Sequence, residues 1–130
     1  MPELNRALAW VDKAEEDYEL ALMAIRRRKR PLPGGACYHS QQCAEKYLKA
    51  FILYHSRLFP YTHDLLALKD LCAQIDPPFI LDEDLLEQLN AYAIGIRYPG
   101  EEVTLEEARE AVVAMKTVRR FVRGKLGLQE

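Results

Sequence analysis

Four groups of residues in this 130-residue chain have the types and spacing to do chemistry. The first is Arg97, which closes the apolar segment "LLEQLNAYAIGI" and is followed by Tyr98, Pro99 and Gly100. A guanidinium there offers a planar fork of donors to a phosphate or carboxylate. Tyr98 and Tyr92 can flank it with ring faces and hydroxyls. The same arginine can instead hydrogen-bond the last carbonyls of a helix, which have no intrahelical partner. Spacing leaves both readings open. The second group is a polar row, His39, Gln42, Lys46 and Lys49, stepping by three, four and three, which shares one helical face. Such a row is either a solvated face or the supplier of a base, an amide and two cations to a groove between helices.

The third group is the run Arg26-Arg27-Arg28-Lys29-Arg30. It can grip phosphates through salt-sensitive contacts or offset the dipole at a helix C-terminus. Glu15, Glu16, Asp17 and Glu19 precede it and dilute the positive patch. No aromatic residue alternates with the cations, so a stacking platform for single strands is not indicated. The fourth group is Cys37, His39 and Cys43. A structural zinc site wants four such ligands, and nothing in the spacing requires His63 or Cys72 to complete one. No metal or other cofactor is expected. Ser40 and Ser56 have no activating pattern around them, and there is no glycine-rich phosphate loop.

These residues must be positioned by helices. Hydrophobic residues make up 49% of the chain, enough for one domain with a core that needs no disulfide. The net charge of −2 gives no global pull towards nucleic acid or membrane,. Three cysteines without a C-x-x-C pair fit a reducing cytoplasm,. The N-terminus does not resemble a signal peptide, and no apolar run is long enough to span a bilayer.

Apolar positions step by three and four throughout. The stripe Leu4, Leu8, Val11, Glu15, Tyr18, Leu22 and Ile25, thickened by Ala7, Ala14 and Ala21, predicts a first helix of roughly 25 residues,. Pro31, Pro33, Gly34 and Gly35 end it. Cys37, Gln41, Ala44, Leu48, Phe51, His55 and Leu58 predict a second, beginning after the glycines and ending at Pro60. Thr62 is the expected N-cap of a shorter helix with Leu65, Leu68, Cys72 and Ile75 inward. Asp82 or Asp84 opens a fourth, with Leu85, Leu86, Leu89, Tyr92, Ala93 and Ile96 inward and Pro99-Gly100 at its end. Thr104 and Glu107 form a capping box for the last. The expected fold is all-α: an antiparallel, up-and-down bundle of four main helices plus a shorter one, in a single domain over residues 1–130.

The segment "CYHSQQCAEKYLKAFILYHSRLFPYTHDLLAL" resembles the core signature of HEPN domains (higher eukaryotes and prokaryotes nucleotide-binding). The matching elements are His39, Gln41-Gln42, Ala44-Glu45-Lys46 and Lys49-Ala50, followed by Pro60, Thr62-His63 and Leu65. Upstream, "WVDKAEEDYELA" fits the family's first helix. Downstream, Arg97 to Pro99 fits its arginine-bearing fourth helix. The resemblance spans about residues 5 to 123. It implies a helical bundle, commonly a homodimer, linked to nucleotides or RNA. It also implies a companion, a minimal nucleotidyltransferase in a toxin–antitoxin-like pair. Many members are metal-independent ribonucleases that pair an arginine with a histidine a few residues later. Here the positions four to six after Arg97 are Glu101, Glu102 and Val103, and the three histidines all lie upstream.

The expectation is therefore a cytoplasmic binding and interaction module without DNA specificity. Arg97 and Lys46 would hold phosphate, Tyr98 and Tyr92 would shape the pocket, and His39 and Gln42 would supply polar contacts. Arg97 and the polar row should face one shared hollow. The alternative is a divergent ribonuclease with Arg97 and His39 as its catalytic pair.

Overall fold

The alanines of the first stripe, more than its larger residues, decide how the chain packs. In the computed structural model, which describes residues 2–95 and 97–130, Ala7, Val11, Ala14, Ala21 and Ala24 form the buried seam of the first helix, α1 (Pro2–Arg26). Leu4, Leu8 and Tyr18 are only half-buried at its flanks. Small side chains let a second long helix lie close, and α2 (Pro33–Tyr54) does so. Trp10 meets Phe59, Glu15 meets Tyr47, Asp17 meets His39 and Lys46, and Leu32 donates its N–H to the Ala24 carbonyl. This order makes α1 and α2 an antiparallel pair.

Three further helices complete the fold: α3 (Leu65–Ile75), α4 (Glu83–Asn90) and α5 (Leu105–Lys125). The architecture is all-α with five helices and no strand among the described residues. Tyr47, Phe51, Leu68, Leu86, Met115 and Val118 are fully buried at its centre. Phe79, in the "DPPF" interruption, joins them with its ring 4.6 Å from Phe51 and 4.9 Å from Phe121.

Several boundaries differ from the sequence expectation, each for a physical reason. Helix α2 begins at Pro33 and includes both glycines. Proline fits a first helical turn because its missing N–H would have no partner there. The helix stops at Tyr54, short of Pro60, where Ser56 takes a left-handed conformation (φ 59°). His55 and Leu58 therefore lie outside it and are exposed. The connection 55–64 turns back along α2, so that His63 reaches Gln41 and Glu45. Asp64, not Thr62, caps α3 by accepting from the Leu66 N–H, while Thr62 accepts from Asp64.

Asp82 caps α4, which is the shortest helix and ends at Asn90. The Asn90 side chain is fastened to the start of α3, accepting from the Leu65 N–H and donating to Asp64. Leu86, Leu89 and Tyr92 are buried as expected, and Leu85 and Ala93 are half-buried. Ile96 lies outside the described residues. Arg97 consequently stands in the connection after α4, not on a helix.

The capping box at Thr104 and Glu107 is formed on both sides. Thr104→Ala should lower the unfolding free energy by about 1 kcal/mol, measured by denaturant titration.

Candidate functional site

The first turn of α2 is the geometric centre of the candidate site. Its N-cap, Leu32, has no acceptor in its side chain, and Pro33 has no N–H to offer. The turn continues into Gly34 and Gly35, which line a hollow of about 380 Å³ with Arg30, Leu32, Arg97 and Glu102. An uncapped helix N-terminus carries partial positive charge and favours an anion. Two guanidinium-bearing residues on the same hollow add to that preference. One carboxylate opposes it, but Glu102 already accepts from the Gly100 N–H at 2.8 Å.

Arg97 is held by its own connection. Its Nη1 donates to the Ile94 carbonyl at 3.1 Å and its Nη2 to the Ala91 carbonyl at 2.9 Å. The carbonyl-satisfying role raised by the sequence is thus realised, on the turn that follows α4. On its other side Arg97 borders a crevice with Cys37, Tyr38 and Tyr92. With a volume of about 10 Å³, that crevice has room for no more than a water molecule,. A Cβ at Gly95 would lie 3.1 Å from the Tyr38 ring, so a larger residue here would push that ring by a few tenths of an ångström.

Burial raises the Tyr92 hydroxyl to about 12, helped by Cys37 and Glu107 nearby. Burial likewise raises the Cys37 thiol to about 11, opposed by its hydrogen bond with Tyr92. Neither group ionises near neutral pH. Tyr92 is a wall of the crevice, whereas Tyr98 is exposed and lines neither the crevice nor the hollow.

The polar row of α2 is divided among different partners. His39 Nδ1 lies 2.7 Å from Asp17 Oδ1, and Lys46 Nζ donates to Asp17 Oδ2 at 2.5 Å. Asp17 is only 5% exposed. It sits in register with Ala14 and Ala21 on the inward face of α1, where a carboxylate must be paired. Gln42 turns to Gln41, donating to its Oε1 at 2.7 Å. Lys49 pairs with Glu45 at 2.9 Å, under the rings of Trp10 and Phe59.

His39 borders a second hollow of about 290 Å³, with Leu20, Met23, Arg27, Leu32 and Gly35. Arg97 and His39 therefore face neighbouring hollows that share Leu32 and Gly35 as a common wall. Within one chain the expected single hollow is split in two. Lys46 is committed to Asp17 and borders neither.

Sequence reasoning missed Asp17 and the two glycines as site residues, and gave Arg30 only as part of the basic run. The signal for Asp17 was an acid on an alanine seam. The signal for the glycines was a proline-led helix start with no capping side chain. Cys37, Cys43 and Cys72 are all buried and unpaired. No group of three or more His, Cys, Asp or Glu side chains is arranged to hold a metal ion among the described residues. No helix formed by those residues is long and apolar enough to cross a membrane.

The HEPN domain family matches residues 7–125, nearly the whole of the bundle just described. The chain belongs to the HEPN family. It is 26% identical over 147 aligned positions to a Methanocaldococcus jannaschii protein named "Putative toxin MJ1304", covering 98% of this chain and 95% of that one. It is also similar to the crystal structure of TT1696 from Thermus thermophilus. That match has a TM-score of 0.71 and 28% identity, and covers 93% of this chain and 98% of the other.

Proposed function

We propose that this HEPN chain is the nucleotide- or RNA-associated member of a toxin–antitoxin-like pair, working in the cytoplasm with a minimal nucleotidyltransferase as companion. The family match and the toxin name of a relative that is similar along almost its full length support the pairing. The observation that carries the binding role is the hollow at the start of α2. There an uncapped helix N-terminus, Arg30 and Arg97 converge on one space large enough for a phosphate group. Arg97 would contribute charge and a fork oriented by its bonds to Ala91 and Ile94. Tyr92 would stiffen the wall behind it. His39, oriented by Asp17, would provide a polar contact at the neighbouring hollow, and Lys46 and Gln42 would set its surroundings. Tyr98, exposed beside Arg97, would stack on a base.

Binding is favoured over hydrolysis on geometry. Strand cleavage needs a proton-transfer group and a charge stabiliser within reach of one phosphate. Arg97 and His39 face separate hollows in the single chain, and no histidine follows Arg97.

The test is fluorescence anisotropy with a labelled single-stranded RNA and, separately, with ATP. Arg97→Ala and Arg30→Ala should each weaken binding by about tenfold, as expected for one charge-assisted contact. Each should also reduce the salt dependence by the equivalent of about one phosphate contact. Unchanged affinity in both variants would remove the hollow from the proposal. Chelator-resistant RNA cleavage lost in both Arg97→Ala and His39→Ala would replace binding with catalysis.

A further inference from the structure

At the opposite end of the α1–α2 pair from the start of α2, a further hollow of about 520 Å³ opens between the two helices and the connection 55–64. Its walls are Ala9 and Trp10 of α1, Leu53 of α2, and Leu58 and Phe59 of the connection. Trp10 and Phe59 rest against the core on one side, and their rings meet edge to face 5.1 Å apart. Leu58 is 88% exposed and belongs to no part of the core. Apolar and aromatic walls around a space of this size, with few polar groups, are the usual lining of a small-molecule site.

The polar side-chain groups on this lining are both donors, the Arg6 guanidinium and the Trp10 indole N–H,. Neither forms a hydrogen bond or ion pair among the described residues. Glu3, one turn before Arg6, does not pair with it, and no carboxylate lines the hollow. Arg57, exposed beside Leu58, adds charge of the same sign. Lys49 lies beneath the rings, 5.0 Å from the Phe59 centroid and 5.8 Å from that of Trp10, but Glu45 neutralises it. The surface therefore matches a ligand with an apolar body and one anionic end. A single guanidinium fork fits the two oxygens of a carboxylate. A strand of phosphates would find too few cations here.

We propose that this hollow binds a linear aliphatic carboxylate of the fatty-acid class, its chain against Leu53, Leu58 and Phe59 and its head on Arg6 and the Trp10 N–H. Burial of the chain supplies most of the affinity, and the exposed ion pair with Arg6 selects the charge of the head. The occupant packs on Phe59, which also covers the Lys49–Glu45 pair. Binding therefore tightens the connection 55–64 and raises the melting temperature.

Trp10 is the chain's single tryptophan, so its fluorescence reports on this hollow. Titration of the full chain with decanoate, kept below the concentration at which it forms micelles, should give a saturable change. Octanoate should bind about tenfold more weakly, for the loss of two buried methylenes. Decylamine, whose head is repelled by Arg6, should bind at least about fivefold more weakly than decanoate. Arg6→Glu should abolish that preference, and Leu58→Ala should weaken decanoate and the neutral decanol alike, severalfold. Both positions are exposed, and circular dichroism verifies that the fold is kept. Should Arg6→Glu unfold, Arg6→Gln should still reduce the preference severalfold. No saturable change with decanoate would overturn the proposal. So would equal binding of decanoate and decylamine, a preference that survives Arg6→Glu, or unchanged affinities in Leu58→Ala. None of these residues lines the hollow at the start of α2, so the result is independent of phosphate binding there.

Discussion

Lys49→Ala should destabilise the protein by about 3–5 kcal/mol, the range for removing one partner of a buried ion pair. Lys49 and Glu45 lie one turn apart on α2 and are 6% and 3% exposed. The ammonium donates to Glu45 Oε2 at 2.9 Å. It is covered by the Phe59 ring, 5.0 Å from the centroid, and by Trp10 at 5.8 Å. The other carboxylate oxygen, Oε1, accepts from Gln41 and meets His63 Nδ1 at 3.0 Å. Without the lysine, a buried carboxylate keeps only those two partners. The melting temperature should fall on the order of 10 °C for a domain of this size.

Lys49→Met keeps the packing of the stem and should still be destabilising, because the charge on Glu45 is what loses its partner. Combining Lys49→Met with Glu45→Leu should recover most of the loss, since an apolar pair of similar volume often matches a buried ion pair. Thermal unfolding of Lys49→Met, Glu45→Leu and the double variant, set against wild type, forms the cycle. A Lys49→Ala protein that melts like the wild type would show that the pair contributes little.

The second large effect is expected at the clasp between α1 and α5. Glu15 accepts from Arg119 Nε at 2.8 Å and Nη2 at 2.7 Å, and from the Tyr47 hydroxyl at 2.7 Å. Arg123 donates to Tyr47 and lies 3.7 Å from the same carboxylate. Burial pushes the Glu15 carboxyl up, but the hydrogen bonds from Arg119 and Tyr47 and the charges of Arg119 and Arg123 outweigh it, leaving it below its ordinary 4.5. The stabilising contribution is therefore fully present above pH 4.5 and is lost as pH falls through the lower folded-state value,.

Glu15→Gln should cost on the order of 2 kcal/mol at neutral pH, between the exposed and fully buried cases, because two half-buried guanidinium groups lose their anion,. The difference from wild type should shrink steadily as the medium is acidified below about pH 4.5,. Denaturant titrations across that pH range measure it. A difference that stays constant on acidification would mean the carboxylate charge is not the stabilising element.

Much of this fold is legible in the chain because its periodicity is regular and its punctuation strong. The apolar stripes place α1 and α2, and the Thr104–Glu107 box sets the start of α5. What the stripe does not reveal is where a helix stops when tertiary bonds intervene. Asn90 looks like one more polar helical residue, yet its side chain is taken by Asp64 and Leu65 of α3. That contact joins residues about 25 positions apart and has no local signature.

The candidate site is less legible for the same reason. The row His39, Gln42, Lys46 and Lys49 has correct helical spacing, but partners on α1 and α2 divide it. Asp17 takes His39 and Lys46, Gln41 takes Gln42, and Glu45 takes Lys49. Arg97 is conspicuous in sequence. Its neighbour across the hollow, Arg30, lies 67 positions earlier, in a basic run that the sequence reads either as a phosphate grip or as a helix end.

Amide chemical-shift perturbation on isotope-labelled protein, titrated with ATP and then with a short single-stranded RNA, tests the binding role most directly. Saturable shifts should concentrate at Gly34, Gly35 and the backbone around Arg30 and Arg97, and should vanish in Arg97→Ala. Saturable shifts confined to other faces of the bundle, or none at all with either ligand, would contradict a phosphate site at the head of α2.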